Sequence, residues 1–263
     1  MEIQKGAGTP LFLVHPIGGM AHVYAGLASG LPEQTVYGLQ ARGVEEGSGD
    51  PIDTVEEMAA YYLEGVRQVQ PEGPYRLGGW SFGGVVAYEM ARQLQAQGQD
   101  VEPLVFFDSY APENREQWNA RSESEVAADF AQDLLSIFQD EAAASQEEAH
   151  VILERVLTQA QESGQLSISF TREDLMRLFT VYKAHSHAMG NYEAVAAPQL
   201  QVILFRASDV PSTQLNPAEG WRKRVGELTV FEVKGNHYTM LQPPFVQETS
   251  ASLNDAILLT LKK

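Results

Sequence analysis

The chain of 263 residues contains no cysteine. Disulfides, a thiolate nucleophile and thiolate metal sites are therefore excluded, and the composition suits a cytoplasmic chain. Long apolar runs are missing as well. No stretch approaches the about 18 residues of a membrane span, and the opening MEIQKGAGTP has neither the apolar core nor the small-residue cleavage site of a secretory leader. Basic residues are scarce, 18 against 35 acids, giving a net charge of −17. A surface this acidic repels polyanions, so nucleic acid is not an expected partner. Ten acids against one base, Arg155, fall between Ser122 and Gln165 and supply −9 of the −17. That stretch reads as a solvated helical surface.

What is present is an alternation of two patterns. Short apolar runs, Leu11–Val14, Val36–Leu39, Tyr75–Gly78 and Pro103–Phe107, end in glycine or polar residues. Helical periodicity lies between them, clearest from Thr54 to Gln70, with Asp53 or Thr54 as N-cap, and again from Gly84 to about Gln97 with Gly98 as a stop. Nearly continuous apolar strands alternating with helices predict an α/β fold, a mostly parallel sheet covered by helices on both faces. From about Ala111 to Pro198 no strand pattern remains. Ser122 with Glu125, Ser145 with Glu148 and Thr171 with Asp174 each read as the start of a helix. After Pro198 the alternation resumes with Leu200–Phe205, a short helix near Trp221, the strand Leu228–Val233 and a terminal helix from about Phe245. The expectation is one domain over residues 1–263 with a helical lid inserted at 111–198. Its apolar residues Phe130, Leu134, Phe138, Leu178, Phe179 and Tyr182 are expected partly to pack together and partly to line a chamber.

Gly79-Trp80-Ser81-Phe82-Gly83 carries the chemistry. It follows a strand and opens a helix, the placement of the nucleophile elbow of an α/β-hydrolase fold. Serine needs a base to take its proton, and the base needs an acid to hold its tautomer; in this architecture they follow in the order serine, acid, histidine. Of six histidines (15, 22, 150, 185, 187 and 237), His237 alone sits in a loop directly after a late strand. His150, His185 and His187 lie in helical segments as solvated or packed residues. His185 and His187, two apart, would face different sides of a helix, so no metal pair is expected. Two aspartates at strand ends could supply the acid: Asp108 after Pro103–Phe107, and Asp209 after Leu200–Phe205. The oxyanion donors are expected to be the backbone N–H groups of Phe82 and Ile17. Ile17 lies in the early loop His15-Pro16-Ile17-Gly18-Gly19, where His15 has a shaping role.

These residues resemble a known family, the type I thioesterase domains that end nonribosomal peptide synthetases and polyketide synthases. The likeness rests on Pro10 to Gly19, Gly78 to Gly84, Phe107-Asp108-Ser109 and Gly235-Asn236-His237-Tyr238, and it spans about Thr9 to Leu261, fading inside the lid. Free-standing type II editing thioesterases look less similar, and an esterase or lipase acting on free esters is the other alternative. The resemblance favours Asp108 over Asp209. It implies a substrate held as a thioester on the phosphopantetheine arm of an acyl or peptidyl carrier protein, with no metal or redox cofactor. Release would be by hydrolysis or macrocyclisation through an acyl-serine intermediate.

Overall fold

The computed structural model describes residues 1–113, 115–136, 147–162, 164, 167, 169–210 and 215–260. Among these, seven strands form one sheet: β1 (Glu2–Gln4), β2 (Leu11–Val14), β3 (Val36–Leu39), β4 (Arg76–Trp80), β5 (Leu104–Phe107), β6 (Ala197–Ala207) and β7 (Val225–Val233). Their order is β1-β3-β2-β4-β5-β6-β7, and every neighbouring pair is parallel except β1 with β3. The expected mostly parallel sheet is what forms. Two expected strands are longer than their apolar cores suggested, and the antiparallel β1, only three residues of mixed polarity, had no apolar signal to reveal it.

Alternate residues of each strand enter opposite layers. Phe12, Val14, Leu104, Phe106, Val202 and Leu204 join the layer formed with α2 (Val55–Val69) and α3 (Phe82–Ala96). Leu11, Leu13, Val105, Phe107, Ile203 and Phe205 face the other layer, where α1 (Ala25–Ser29) and α9 (Val246–Thr260) pack. Apolar residues on both faces of the central strands are the direct reason that they read as continuous runs. The Thr54 hydroxyl, rather than Asp53, caps α2 by accepting from the Glu57 N–H.

Between β5 and β6 come α4 (Arg115–Asn119), α5 (Glu123–Ser136), α6 (Ala149–Glu162) and α7 (Arg172–Asn191). Reciprocal Ser122–Glu125 bonds cap α5, and a Thr171–Asp174 capping box starts α7. Ser145, read as the start of α6, and Phe138 lie outside the described residues. The short α8 (Pro217–Arg222) precedes β7, starting under the Asn216 side chain.

The sheet order reverses at β2, which has β3 on one side and β4 on the other. In an open α/β sheet the crevice outside the strand ends at such a reversal is where ligands bind. Tyr24 braces it. Its hydroxyl donates to the Val14 carbonyl at 2.5 Å and accepts the Trp80 N–H at 2.8 Å, joining the ends of β2 and β4. Tyr24→Phe should leave that buried N–H without an acceptor and lower stability by about 1–3 kcal/mol. Urea denaturation of the two proteins measures the difference, and an unchanged midpoint would show that the brace contributes nothing.

Candidate active site

Ser81 stands between the end of β4 and the start of α3, with φ 56° and ψ −123°. Side chains rarely occupy this backbone region, and it costs about 1–3 kcal/mol unless the surroundings enforce it. Enforcement comes from close packing. A Cβ at Gly79 would lie 2.4 Å from the Gly83 carbonyl carbon, and one at Gly83 would lie 2.2 Å from the Val14 oxygen. Both flanking positions therefore exclude any larger residue. The turn leaves Ser81 at the N-terminus of a 15-residue helix, where unpaired N–H groups and the helix dipole favour negative charge.

Three of the residues singled out by sequence come together here. His237 Nε2 lies 3.2 Å from Ser81 Oγ, and His237 Nδ1 lies 2.7 Å from Asp108 Oδ2. A carboxylate can only accept, so Nδ1 carries the proton and Nε2 is left to accept from the serine hydroxyl. Asp108 is fully buried, with φ 41°, and its other oxygen accepts the Ala207 N–H at 3.1 Å. Asp209 is not part of this chain of bonds. Its Oδ2 accepts the Gly235 N–H at 3.2 Å and its own N–H donates to the Gly235 carbonyl at 3.0 Å, so it clamps the turn that precedes His237.

Ile17 and Phe82 border the same cavity as Ser81 and His237. The loop that carries Ile17 is held by two histidines. His15 Nδ1–H donates to the Pro16 carbonyl at 2.7 Å, and its Nε2 accepts the Tyr62 hydroxyl at 2.6 Å. His185, from α7, donates through Nδ1–H to the Ile17 carbonyl at 2.6 Å. The two imidazoles stack with centroids 4.8 Å apart, and His185 also stacks on Phe82 at 5.2 Å. His185 is thus packed, one of the two outcomes that sequence allowed, but its link to the loop was not foreseen. His150 and His187 are exposed.

Above Ser81 lies a chamber with apolar walls that include Met20, Phe130, Leu134, Leu178 and Tyr182. Phe179 instead packs on Phe130 at 5.5 Å, away from the chamber. Sequence reasoning missed one residue of the wall. Asp133 belongs to the acidic stretch read as a solvated surface, where Glu123, Glu147 and Glu154 do make exposed ion pairs and Asp140 and Glu141 lie outside the described residues. Asp133 faces the chamber. It accepts the Tyr182 hydroxyl at 2.9 Å and the Tyr238 hydroxyl at 2.7 Å. Burial lifts its carboxyl above the usual range, against the pull of both hydroxyls and of His237. The available signal was its place three residues after Phe130, on the apolar side of α5.

A family model described as the thioesterase domain matches residues 9–253. The dimodular nonribosomal peptide synthase of Bacillus subtilis (strain 168) is 49% identical over 107 residues, which are 40% of this chain and 4% of that protein. The four-domain nonribosomal peptide synthetase holo-AB3403, bound to AMP and glycine, aligns over 97% of this chain and 20% of its own with a TM-score of 0.88 and 28% identity. The NocB thioesterase domain from the nocardicin cluster aligns over 96% of this chain and 95% of its own, with a TM-score of 0.68 and 27% identity. The sheet and its helical layers are those of the α/β-hydrolase fold seen in such structures.

The histidine pair has a consequence for stability. Burial holds His185 down at about 4 and His15 well below its ordinary value. Both stay neutral when folded, whereas an unfolded imidazole takes up a proton near pH 6.5. Their contribution is therefore complete above about pH 6.5 and is lost as pH falls from there towards 4. His185→Asn should destabilise the protein at pH 7 but lose less than the wild type between pH 7 and pH 5. Equal losses, read from urea midpoints at the two pH values, would contradict the assignment.

Proposed function

The chain belongs to the thioesterase domain family of nonribosomal peptide and polyketide synthases, and on that premise we propose that it releases a peptidyl or polyketide chain from a carrier protein's phosphopantetheine thioester through an acyl-Ser81 intermediate. The observation that carries this reading is the Asp108–His237–Ser81 series of bonds at the mouth of α3, beneath an apolar chamber. Ser81 Oγ attacks the thioester carbonyl while His237 Nε2 takes its proton, and Asp108 holds the imidazolium that results. The carbonyl oxygen, now an anion, is received by the N–H groups of Ile17 and Phe82. Collapse expels the pantetheine sulfur, which leaves as a thiol with the proton from His237. Water, or a hydroxyl or amine of the chain itself, then gives its proton to His237 and attacks the ester, and Ser81 is restored.

The lid spans the connection between β5 and β6, whose C-terminal ends carry Asp108 and approach the His237 loop. Its apolar wall supports both outcomes of the second step. A chain that folds back within it gains the high effective molarity of an internal nucleophile, and water is held off.

Incubation with a loaded carrier protein should place an acyl mass on Ser81, and Ser81→Ala should abolish it; an adduct on another residue would overturn the mechanism. Carrier-bound thioester should be turned over in preference to a free ester. Asp108→Asn should lower kcat by about 10⁴-fold, the scale known for loss of a triad acid, whereas Asp209→Asn should cost far less because it touches Gly235 and not His237. The reverse ranking would move the acid to Asp209.

The chamber makes its own prediction. Leu134→Ser or Leu178→Ser should raise the ratio of hydrolysed to cyclised product without preventing acylation. Product analysis by mass spectrometry reads the ratio, and a wild type that yields only linear acid would restrict the lid to selectivity.

A further inference from the structure

Two adjoining cavities meet over Ser81 and His237, and Asp133 borders both; among the described residues it is the one carboxylate of the apolar cavity, while Arg121, Asp129 and Gln132 line the other beside it. No lysine or arginine pairs with it among the described residues. Its neighbour one turn back, Asp129, is neutralised by Arg121, and that guanidinium also stacks on Trp118 at 4.3 Å. Among the described residues, Asp133 receives the hydroxyls of Tyr182 and Tyr238, one on each oxygen. A carboxylate oxygen has about two lone-pair sites, so each can accept a further donor from inside the chamber.

These bonds join α5, α7 and the loop that carries His237, and a structural tie is the simplest account of them. Yet a tie requires only an acceptor. A neutral amide would supply one without placing a desolvated charge in the chamber, where an unpaired ion is costly. An ionisable group in this position is the feature that the tie leaves unexplained: burial lifts the carboxyl towards its neutral form, and a cation beside it would draw it back to the carboxylate. An ammonium group entering the chamber would remove this cost, since the two charges neutralise one another in a site poor in water. A neutral chain would offer no such partner and would leave the carboxyl with its raised affinity for a proton.

We propose that Asp133 is a specificity-determining residue that receives a cationic amine on the acyl chain carried by Ser81, so that the substrates of this site are chains bearing a protonated amine. The assignment rests on the acyl-Ser81 reading given above. Tyr182 and Tyr238 then act as positioning residues that aim both carboxylate oxygens and leave their outer lone pairs to the substrate.

Matched N-acetylcysteamine thioesters test the idea: ω-aminoacyl chains of several lengths, each against the chain in which a methyl group replaces the amine. For the wild type, kcat/KM should favour the amine over its methyl partner by about 10- to 100-fold at the length that reaches Asp133, the range expected for a hydrogen bond to a charged group. In Asp133→Asn, which keeps an acceptor oxygen, that ratio should fall towards one. The double variant Tyr182→Phe/Tyr238→Phe, which keeps the charge, should still favour the amine. A wild-type ratio near one at every length would overturn the proposal, and so would an Asp133→Asn enzyme with the wild-type ratio, which would leave Asp133 as a tie alone. A wild type that turns over neutral and amino chains equally removes only this inference. A wild type that turns over none, with Ser81 never acylated, removes the chain-release reading along with it.

Discussion

Between Trp80 and Phe82 the backbone passes from strand to helix through a single residue held at φ 56°. Nothing local favours that conformation; it persists because the surroundings leave no alternative. Gly79 and Gly83 let β4 and α3 fold back on each other at contact distance, and β2 lies so close that its Val14 carbonyl fills the space where a side chain on Gly83 would stand. The same contact fixes where β2 ends, and so where the loop bearing Ile17 begins. Tyr24 closes the arrangement by bonding to both strands at once. One strained turn thereby sets the relative position of the serine, the helix terminus and the loop on which an oxyanion would rest.

Around this turn the protein sets the tautomer of three imidazoles by facing one nitrogen of each with a group that accepts. Carbonyl oxygens face Nδ1 of His15 and His185, and a carboxylate faces Nδ1 of His237; acceptors of this kind place the ring proton on Nδ1. The two buried histidines are thus structural donors to the loop, while the half-open His237 keeps Nε2 free for Ser81. Identical side chains have different duties here because of what their second nitrogen meets.

Much of this was legible in the sequence. The elbow could be read because its sequence signature is local, two glycines, a serine, a strand before and a helix after, even though distant packing enforces its conformation. His237 could be read because it alone followed a late strand. The caps at Thr54, Ser122 and Thr171 are likewise three-residue phenomena. The choice between Asp108 and Asp209 was not legible from spacing, since both end strands at the same edge. The Gly235–His237 loop meets both, and only the structure shows that Asp209 is taken by Gly235 while Asp108 faces the imidazole of His237. His185 and Asp133 were obscured for a similar reason. Their partners, Ile17 and Tyr238, lie 168 and 105 residues away in sequence. No helical period reports such contacts. Asp133 was further hidden by its acidic neighbours, most of which face solvent as their composition suggests.

The order of the sheet also has a meaning in time. β2, β4 and β5 are adjacent and come from the first 107 residues, so the strands on either side of the strained turn are made early. His237 arrives on the loop after β7, the last strand among the described residues and one edge of the sheet, and β7 pairs within the sheet with β6, which itself follows the helical segment. Chains emerge from the ribosome N-terminus first, at about 5–20 residues per second. Ser81 and His237 are separated by 156 residues, so about 8–30 s pass between the making of the one and the making of the other. Through that interval the serine is an ordinary alcohol. Until β7 joins the sheet, Ser81 has no imidazole within reach, so the last strand to be made completes the site.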